Sequence, residues 1–389
     1  METVKVGIVG IGNIGTAHLH SVGEGHIAGM ELCAACDISE SRLEYCRARF
    51  PRIRLFTDWR EMLDSGLADA VIVSVPHPLH ALIAAYALER GIHTLVEKPE
   101  DARVSAAERL NRTASSSDCV FGIMFNQRTN PLFSRARELV KNGSLGELKR
   151  SVWIITNWYR TQDYYDSGSW RATWSGEGGG VLLNQAPHNL DLWQWICGMP
   201  DEITAFCDVG KYHNIEVEDD VTIFARYGNG ATGVFITTTG EFPGTNRLEI
   251  SGDRGKIVIE NSTLKFWELS EPERAFCFRE KKDGDELSYS YSEYGSAEET
   301  GHRGILGDFS SAIRLGTPLL APGIEGINEL EISCAAYMSS WLGTPVRLPV
   351  DAKKYDELLD GKITSAKRVV KERTGDRHGG YLPRWKVNW

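Results

Sequence analysis

The sequence has no apolar run long enough to cross a bilayer. Its first residues pass directly into a predicted strand, without the basic segment and apolar core of a secretion signal. It has no excess of positive charge either: 43 Lys and Arg stand against 53 Asp and Glu, a formal net charge of −10. That balance argues against nucleic acid or an anionic membrane as a partner. The basic residues that gather late (Lys367, Arg368, Lys371, Arg373, Arg377) are interrupted by Glu372 and Asp376 and read as a solvated helix face. Eight cysteines are scattered through the chain, and the one C-x-x-C pair, Cys33 and Cys36, falls inside a predicted strand. Residues three apart on a strand face opposite ways, so neither a disulfide nor a metal site is expected there. A cytoplasmic protein with free thiols is the expectation. His18-x-His20, His77-x-x-His80 and His188-x-x-Asp191 match no metal-ligand spacing with further ligands in register, so no metal is expected. Repeats and low-complexity tracts are absent.

What is present is a globular composition, 42% hydrophobic and 25% charged, over 389 residues. That length exceeds one ordinary core and predicts two domains. Over residues 1–125, strands and helices alternate, with predicted strands at 5–9, 32–36, 54–56, 70–75, 94–96 and 120–124. Ala70-Val71-Ile72-Val73-Ser74-Val75 reads as a parallel strand covered on both faces. The fold class expected is α/β: a Rossmann-type, doubly wound parallel sheet. From Asn126 the texture changes to long β-rich segments separated by turns such as Gly228-Asn229-Gly230. Residues 126–389 are therefore expected to form an α+β domain with a large open antiparallel sheet and helices on one face. A second subunit is the natural cover for the other face, so a homo-oligomer is expected.

The first predicted strand runs into Gly10-Ile11-Gly12-Asn13-Ile14-Gly15, and Asp37 closes the second strand. Strand, G-x-G-x-x-G turn, helix and spaced acid together form a dinucleotide-binding fingerprint. Gly10 permits the turn, Gly12 admits a pyrophosphate to the helix N-terminus, and Gly15 lets helix and strand pack closely. Asp37 stands where a carboxylate accepts bonds from the adenosine ribose. No basic residue follows it directly, which favours NAD, while Arg42 leaves NADP open.

Glu97-Lys98-Pro99 follows a strand at the carboxyl edge of the parallel sheet, where ligands of such sheets bind. A lysine there is able to stabilise an alkoxide; a surface lysine paired with Glu97 is the competing reading. In Gly178-Gly179-Gly180-Val181-Leu182-Leu183-Asn184-Gln185-Ala186-Pro187-His188, Asn184 reads as an N-cap, because proline is tolerated in a first turn. Asn184, His188 and Asp191 then share one helical stripe, and the helix dipole keeps His188 neutral and ready to take a proton. A structural histidine bonded to Asp191 or to backbone is the alternative. His77 and His80 bracket a strand-to-helix turn suited to cofactor or substrate contact. Trp158-Tyr159-Arg160, Asp163-Tyr164-Tyr165 and Trp170-Arg171 combine aromatic platforms with polar groups, as sugar pockets do.

Glycine turn, Glu97-Lys98-Pro99, Pro76-x-x-x-His80, Asn126-Gln127-Arg128-x-x-Pro131, Trp170-Arg171 and the triple-glycine block ending in His188-x-x-Asp191 occur in an order and spacing that resembles the Gfo/Idh/MocA family. The resemblance spans nearly the whole chain and implies an NAD(P)-dependent oxidoreductase acting on sugars, cyclitols or their derivatives. It implies catalytic roles for Lys98 and His188, with Asn184 orienting His188 or the substrate. Cofactor contacts are implied at Gly10, Gly12, Asn13, Ile14, Gly15, Asp37, Ser74, Pro76, His77, His80, Glu97, Lys98 and Arg128. From the chemistry of sugar pockets, substrate contacts are expected at Lys98, Asn126, Trp158, Tyr164, Trp170, Arg171, Asn184 and His188. The family frequently carries aspartate where this chain has Asn184, and that departure leans towards branches oxidising a ring hydroxyl of a glycoside or nucleotide-linked sugar. Two alternatives accompany this reading: a glycosidase or lyase using tightly held NAD in an oxidation–elimination cycle, and a non-catalytic dinucleotide-sensing regulator.

Overall fold

In the computed structural model, residues 3–168, 170–281, 283–295 and 300–366 are described; the late basic segment from Lys367 onward lies outside them. Strands β1 to β6 (Val4–Val9, Met30–Cys36, Arg54–Phe56, Ala70–Val73, His93–Val96, Phe121–Ile123) form one parallel sheet in the order β3-β2-β1-β4-β5-β6. The order reverses between β1 and β4, which opens a crevice at their carboxyl ends. Every residue of β4 is buried, as the continuous apolar run requires.

Strands β7 to β15 (Leu148–Ile155, Glu202–Val209, Glu218–Arg226, Thr232–Thr238, Asn246–Gly252, Gly255–Glu260, Thr263–Leu269, Tyr289–Gly295, Val346–Arg347) build a second sheet in the order β14-β13-β12-β11-β7-β10-β9-β8-β15. Its pairings are antiparallel except β7 with β10, which run parallel. The sheet is therefore mixed rather than wholly antiparallel. β7 enters the middle of the sheet, with the β8–β10 meander on one side and the β11–β14 meander on the other, and both β10 and β11 must pair with it.

Helices Pro131–Lys141, Pro187–Cys197 and Gly326–Leu342 cover one face of this sheet. Trp153 is fully buried between Phe133 and Phe235, and its indole N–H donates to Asn246 at 3.1 Å. Trp193 donates likewise to Ser151 at 2.9 Å. Burying an indole requires that partner, because an unpaired N–H away from water is costly. The opposite face carries Phe206, Thr222, Phe224, Val234 and Ile236, with Phe206 70% exposed.

The spatial domains do not follow the chain boundary at 126. Helix Gly301–Leu315 packs Ile305, Leu306 and Phe309 into the core of the first sheet, and Ser310 donates to Ala28 O at 2.8 Å. Ile123 N–H donates to Ala321 O at 3.1 Å. This return of the chain brings His302 to the crevice.

Candidate functional site

At the end of β1, Gly10 adopts φ +89°, and a Cβ there would stand 2.4 Å from Ser74 O. A Cβ on Gly15 would meet Gly10 O at 1.9 Å. These two glycines make the turn and the helix–strand contact possible. Gly12 differs: its φ is −69° and a Cβ would meet nothing within 4 Å. The open space above Gly12 lies at the N-terminus of helix Asn13–Gly23, which has no side-chain cap and no acid in its first turn. Such a terminus favours an anion. Asp37 is pinned by two amides, Ile11 N–H at 2.6 Å and Ser39 N–H at 2.8 Å. Each oxygen retains a lone pair for a hydroxyl donor. This arrangement fits a dinucleotide with its pyrophosphate over Gly12 and its ribose at Asp37.

The crevice continues into a cleft of about 550 Å³ whose walls come from both domains. Gly10, Gly12, Asn13, Ile14, Asp37, Ser74, Pro76, His77, His80, Glu97 and Lys98 line it from the first, and Arg160, Tyr164, Trp170, Arg171 and Asn184 from the second. Ile38, Thr57, Trp59 and Leu79 also line it. Lys98 Nζ donates to Asn184 O at 2.8 Å, which leaves two of its three donors for a ligand. Burial pulls its pKa down. Beside it, burial pushes Glu97 up, yet the 2.7 Å bond to His18 together with the charges of His18, His302 and Lys98 outweighs this and holds the carboxyl at about 2. Burial lowers His77 far below the ordinary histidine range, and its Nδ1 stands 3.0 Å from Glu177 O. His80 braces the turn, its two nitrogens each 2.7 Å from the carbonyls of Pro99 and Val75.

The profile of an oxidoreductase family with an NAD-binding Rossmann fold matches residues 4–125, and that of the GFO/IDH/MocA C-terminal domain matches residues 133–258. The chain belongs to the Gfo/Idh/MocA family. Its first domain is the family's NAD-binding Rossmann domain. Among curated proteins, the chain is 25% identical over 267 residues to the myo-inositol 2-dehydrogenase of Thermotoga maritima, covering 66% of this chain and 75% of that one. It is 25% identical over 290 residues to the levoglucosan dehydrogenase of Pseudarthrobacter phenanthrenivorans, covering 67% and 74%. Among solved structures, the WlbA dehydrogenase of Chromobacterium violaceum, in complex with NADH and UDP-GlcNAcA, superposes with a TM-score of 0.78 at 26% identity, covering 90% of this chain and 97% of that one.

Within this Gfo/Idh/MocA chain, several residues stand elsewhere than the sequence suggested. Arg128 does not reach the cleft. It is fully buried, bidentate to Asp191 at 2.6 and 2.8 Å, and bonded to Glu325 at 2.5 Å and to Leu320 O at 3.1 Å. Trp158 lies in the second core, its indole donating to Asn189 at 3.2 Å, and does not line the cleft. Asn126 is buried behind the lining, 3.5 Å from His302 Nδ1. Gly15 sits under the turn, outside the lining.

Asn184 is not an N-cap. The chain forms two helices, Val181–Asn184 and Pro187–Cys197, and the cap of the second is Ala186. Pro187 lacks the N–H needed to continue the first helix, so the two break at 185–186. The Asn184 amide is bonded to Glu177, to Tyr164 at 3.2 Å and to Gln185 at 2.9 Å, rather than to His188. His188 is half-buried and outside the lining, and its Nδ1 has no partner among the described residues, so it is not tied to Asp191. Burial, with the charges of Lys98 and His302, pushes its pKa well down.

Glu177 and His302 were missed by sequence reasoning. Glu177 is buried, accepts from Ala172 N–H at 2.5 Å, and binds the Asn184 amide. It immediately precedes the block ending in His188, and an acid flanked by Gly176 and Gly178 was the available signal. His302 lines the cleft, held at about 4 by burial, but no local pattern at the start of its helix marks it. Among the described residues, no cluster of His, Cys, Asp or Glu suits a metal ion, and no helix is long and apolar enough to cross a membrane.

Proposed function

We propose that this oxidoreductase oxidises a secondary ring hydroxyl of a sugar, glycoside or cyclitol. Bound NAD supplies the hydride acceptor, its nicotinamide C4. The observation that carries the reading is Lys98: its ammonium stands in the same cleft as the glycine turn and the Tyr164–Trp170–Arg171 wall, with donors to spare. Lys98 binds the reacting oxygen and stabilises negative charge on it as the C–H bond breaks. His188, kept neutral by burial, is the base that takes the hydroxyl proton. Asn184 fixes Lys98 through its carbonyl and, with Glu177, sets the Tyr164 hydroxyl that faces the substrate. Trp170 and Tyr164 supply the aromatic walls against which a ring packs. The named activities of the curated relatives, on an inositol and on levoglucosan, are of this kind.

The test is K98M assayed by NADH formation across inositols, free hexoses, glucosides and nucleotide-linked sugars. Turnover on whichever substrate the parent uses should fall by at least about 10²-fold, as for loss of one transition-state donor, while NAD still binds. Near-normal turnover would remove Lys98 from the mechanism. The uncovered stripe of Phe206, Phe224, Val234 and Ile236 supports assembly with a second copy through that sheet face. Light scattering checks this, and a monomer at micromolar concentration would refute it.

A further inference from the structure

We propose that the substrate end of the cleft takes a negatively charged carbohydrate, a sugar bearing a carboxylate or phosphate that Arg171 binds and Arg160 attracts. This deepens the reading above and rests on it. Three cationic side chains, Lys98, Arg160 and Arg171, line the cleft. The two acids that line it are turned away from that end. Asp37 is held by the Ile11 and Ser39 amides at the ribose position, and Glu97 faces His18.

Among the described residues, the acid within 4 Å of Arg171 is Glu177, and their 3.9 Å separation is too long for a hydrogen bond. Both Glu177 oxygens already accept, one from the Asn184 amide and one from Ala172 N–H. Burial also pushes its pKa up, against the charged form. Arg171 instead donates to the Tyr164 hydroxyl at 2.9 Å and lies 4.8 and 4.6 Å from the Tyr164 and Trp170 rings. Arg160 lies 5.1 Å from the same Tyr164 ring and donates to the carbonyls of Trp158 and Tyr159. The Tyr164 hydroxyl and the two rings orient the Arg171 guanidinium without cancelling its charge. A partly desolvated positive charge of this kind favours an anion, and the planar fork of arginine matches carboxylate or phosphate in two parallel bonds. A neutral pyranose brings only hydroxyls to this end, whereas an anion gains the charge-assisted bonds that the Arg171 fork offers.

The NAD-loaded protein is assayed with matched sugars: glucose against glucuronate, glucose 6-phosphate and glucose 1-phosphate, and methyl glucoside against methyl glucuronide. Binding is followed in parallel by titration of the protein–NADH complex. The charged member of a pair should be preferred in kcat/KM by about tenfold or more, the size of one charge-assisted bond, and salt should erode the preference. R171Q should collapse that preference, and R171K, which keeps the charge, should retain part of it. Whether carboxylate or phosphate carries the charge is read from the uronate and phosphate arms. Hydride transfer with neutral sugars equal to or better than their charged partners overturns the proposal and leaves the dehydrogenase reading standing. R171Q weakening NADH binding as much as sugar binding also overturns it, by assigning Arg171 to the dinucleotide. Charged sugars that bind in an Arg171-dependent way without hydride transfer would uphold the site and sink the dehydrogenase reading. Failure of every charged sugar to bind overturns the proposal.

Discussion

Gly12 and Gly10 lie two residues apart in the same turn, and the structure predicts opposite consequences for replacing them. A valine at Gly12 adds its side chain to open space, since a Cβ there meets nothing within 4 Å, and φ −69° is an ordinary value for an L-residue. The ligand-free G12V protein should therefore keep its stability to within about 0.5 kcal/mol. The added methyl groups fill the approach of a pyrophosphate to the helix N-terminus, so NAD affinity should fall by about 10²-fold or more, near 2.7 kcal/mol. At Gly10 the order reverses. Its φ of +89° costs an L-residue about 1–2 kcal/mol, and a Cβ 2.4 Å from Ser74 O forces the turn apart. G10V should lose stability even without ligand. Thermal melts with and without NAD separate the two effects. NAD at a hundred times its dissociation constant raises stability of the parent by about 2.7 kcal/mol, and at the same concentration that increment should fall to about 0.4 kcal/mol or less in G12V. A G12V protein that unfolds on its own, or that keeps the NAD-dependent shift, would refute the assignment of Gly12 to the pyrophosphate.

R128M leaves Asp191 and Glu325 without their buried partner and should cost about 3–5 kcal/mol, while NAD affinity of the folded fraction stays near the parent value; a selective loss of NAD binding would return Arg128 to the cofactor site. Burial pushes both His188 and His302 below the ordinary histidine range, so a base of either kind is already unprotonated below pH 6.5. The acid limb of kcat/KM should then lie below pH 6.5, and H188N should remove it while H302N moves it; a limb at or above 6.5 would show that neither burial effect governs the base. Glu218 accepts from Gly180 N–H, Leu182 N–H and the Tyr337 hydroxyl, and burial raises it from 4.5 to about 7. Its folded pKa exceeds its unfolded one, so its contribution is fully present below about pH 4.5 and is lost as pH rises through 7. Urea melts of the parent and E218Q across that window should differ in slope, and parallel pH profiles would contradict the raised value.

The parts of the site set by local stereochemistry were legible in the sequence. Gly10 needs a positive φ, Gly15 needs the absence of a Cβ, Asp37 ends a strand beside the turn, and Lys98 follows β5; each follows from neighbours within a few residues. The centre of the parallel sheet was legible because a strand buried on both faces, such as β4, reads as a continuous apolar run, whereas the short edge strand β3 has no fully buried residue and carries no such run.

Residues whose roles depend on distant chain were not legible. Arg128 and Asp191 are 63 residues apart, and only their burial together makes a structural clamp of a residue expected at the cofactor. Trp158 and Tyr164 share an aromatic-rich segment, yet packing of the second sheet sends one to the core and the other to the cleft. The parallel contact of β7 with β10 is a pairing of strands separated by two others, which periodicity does not encode. His302 reaches the cleft because helix Gly301–Leu315 finds the apolar surface of the first domain. Local backbone limits thus decide where a dinucleotide binds from the sequence alone. Burial against distant chain decides which charges stay free to meet a substrate, and that is a property of the tertiary structure.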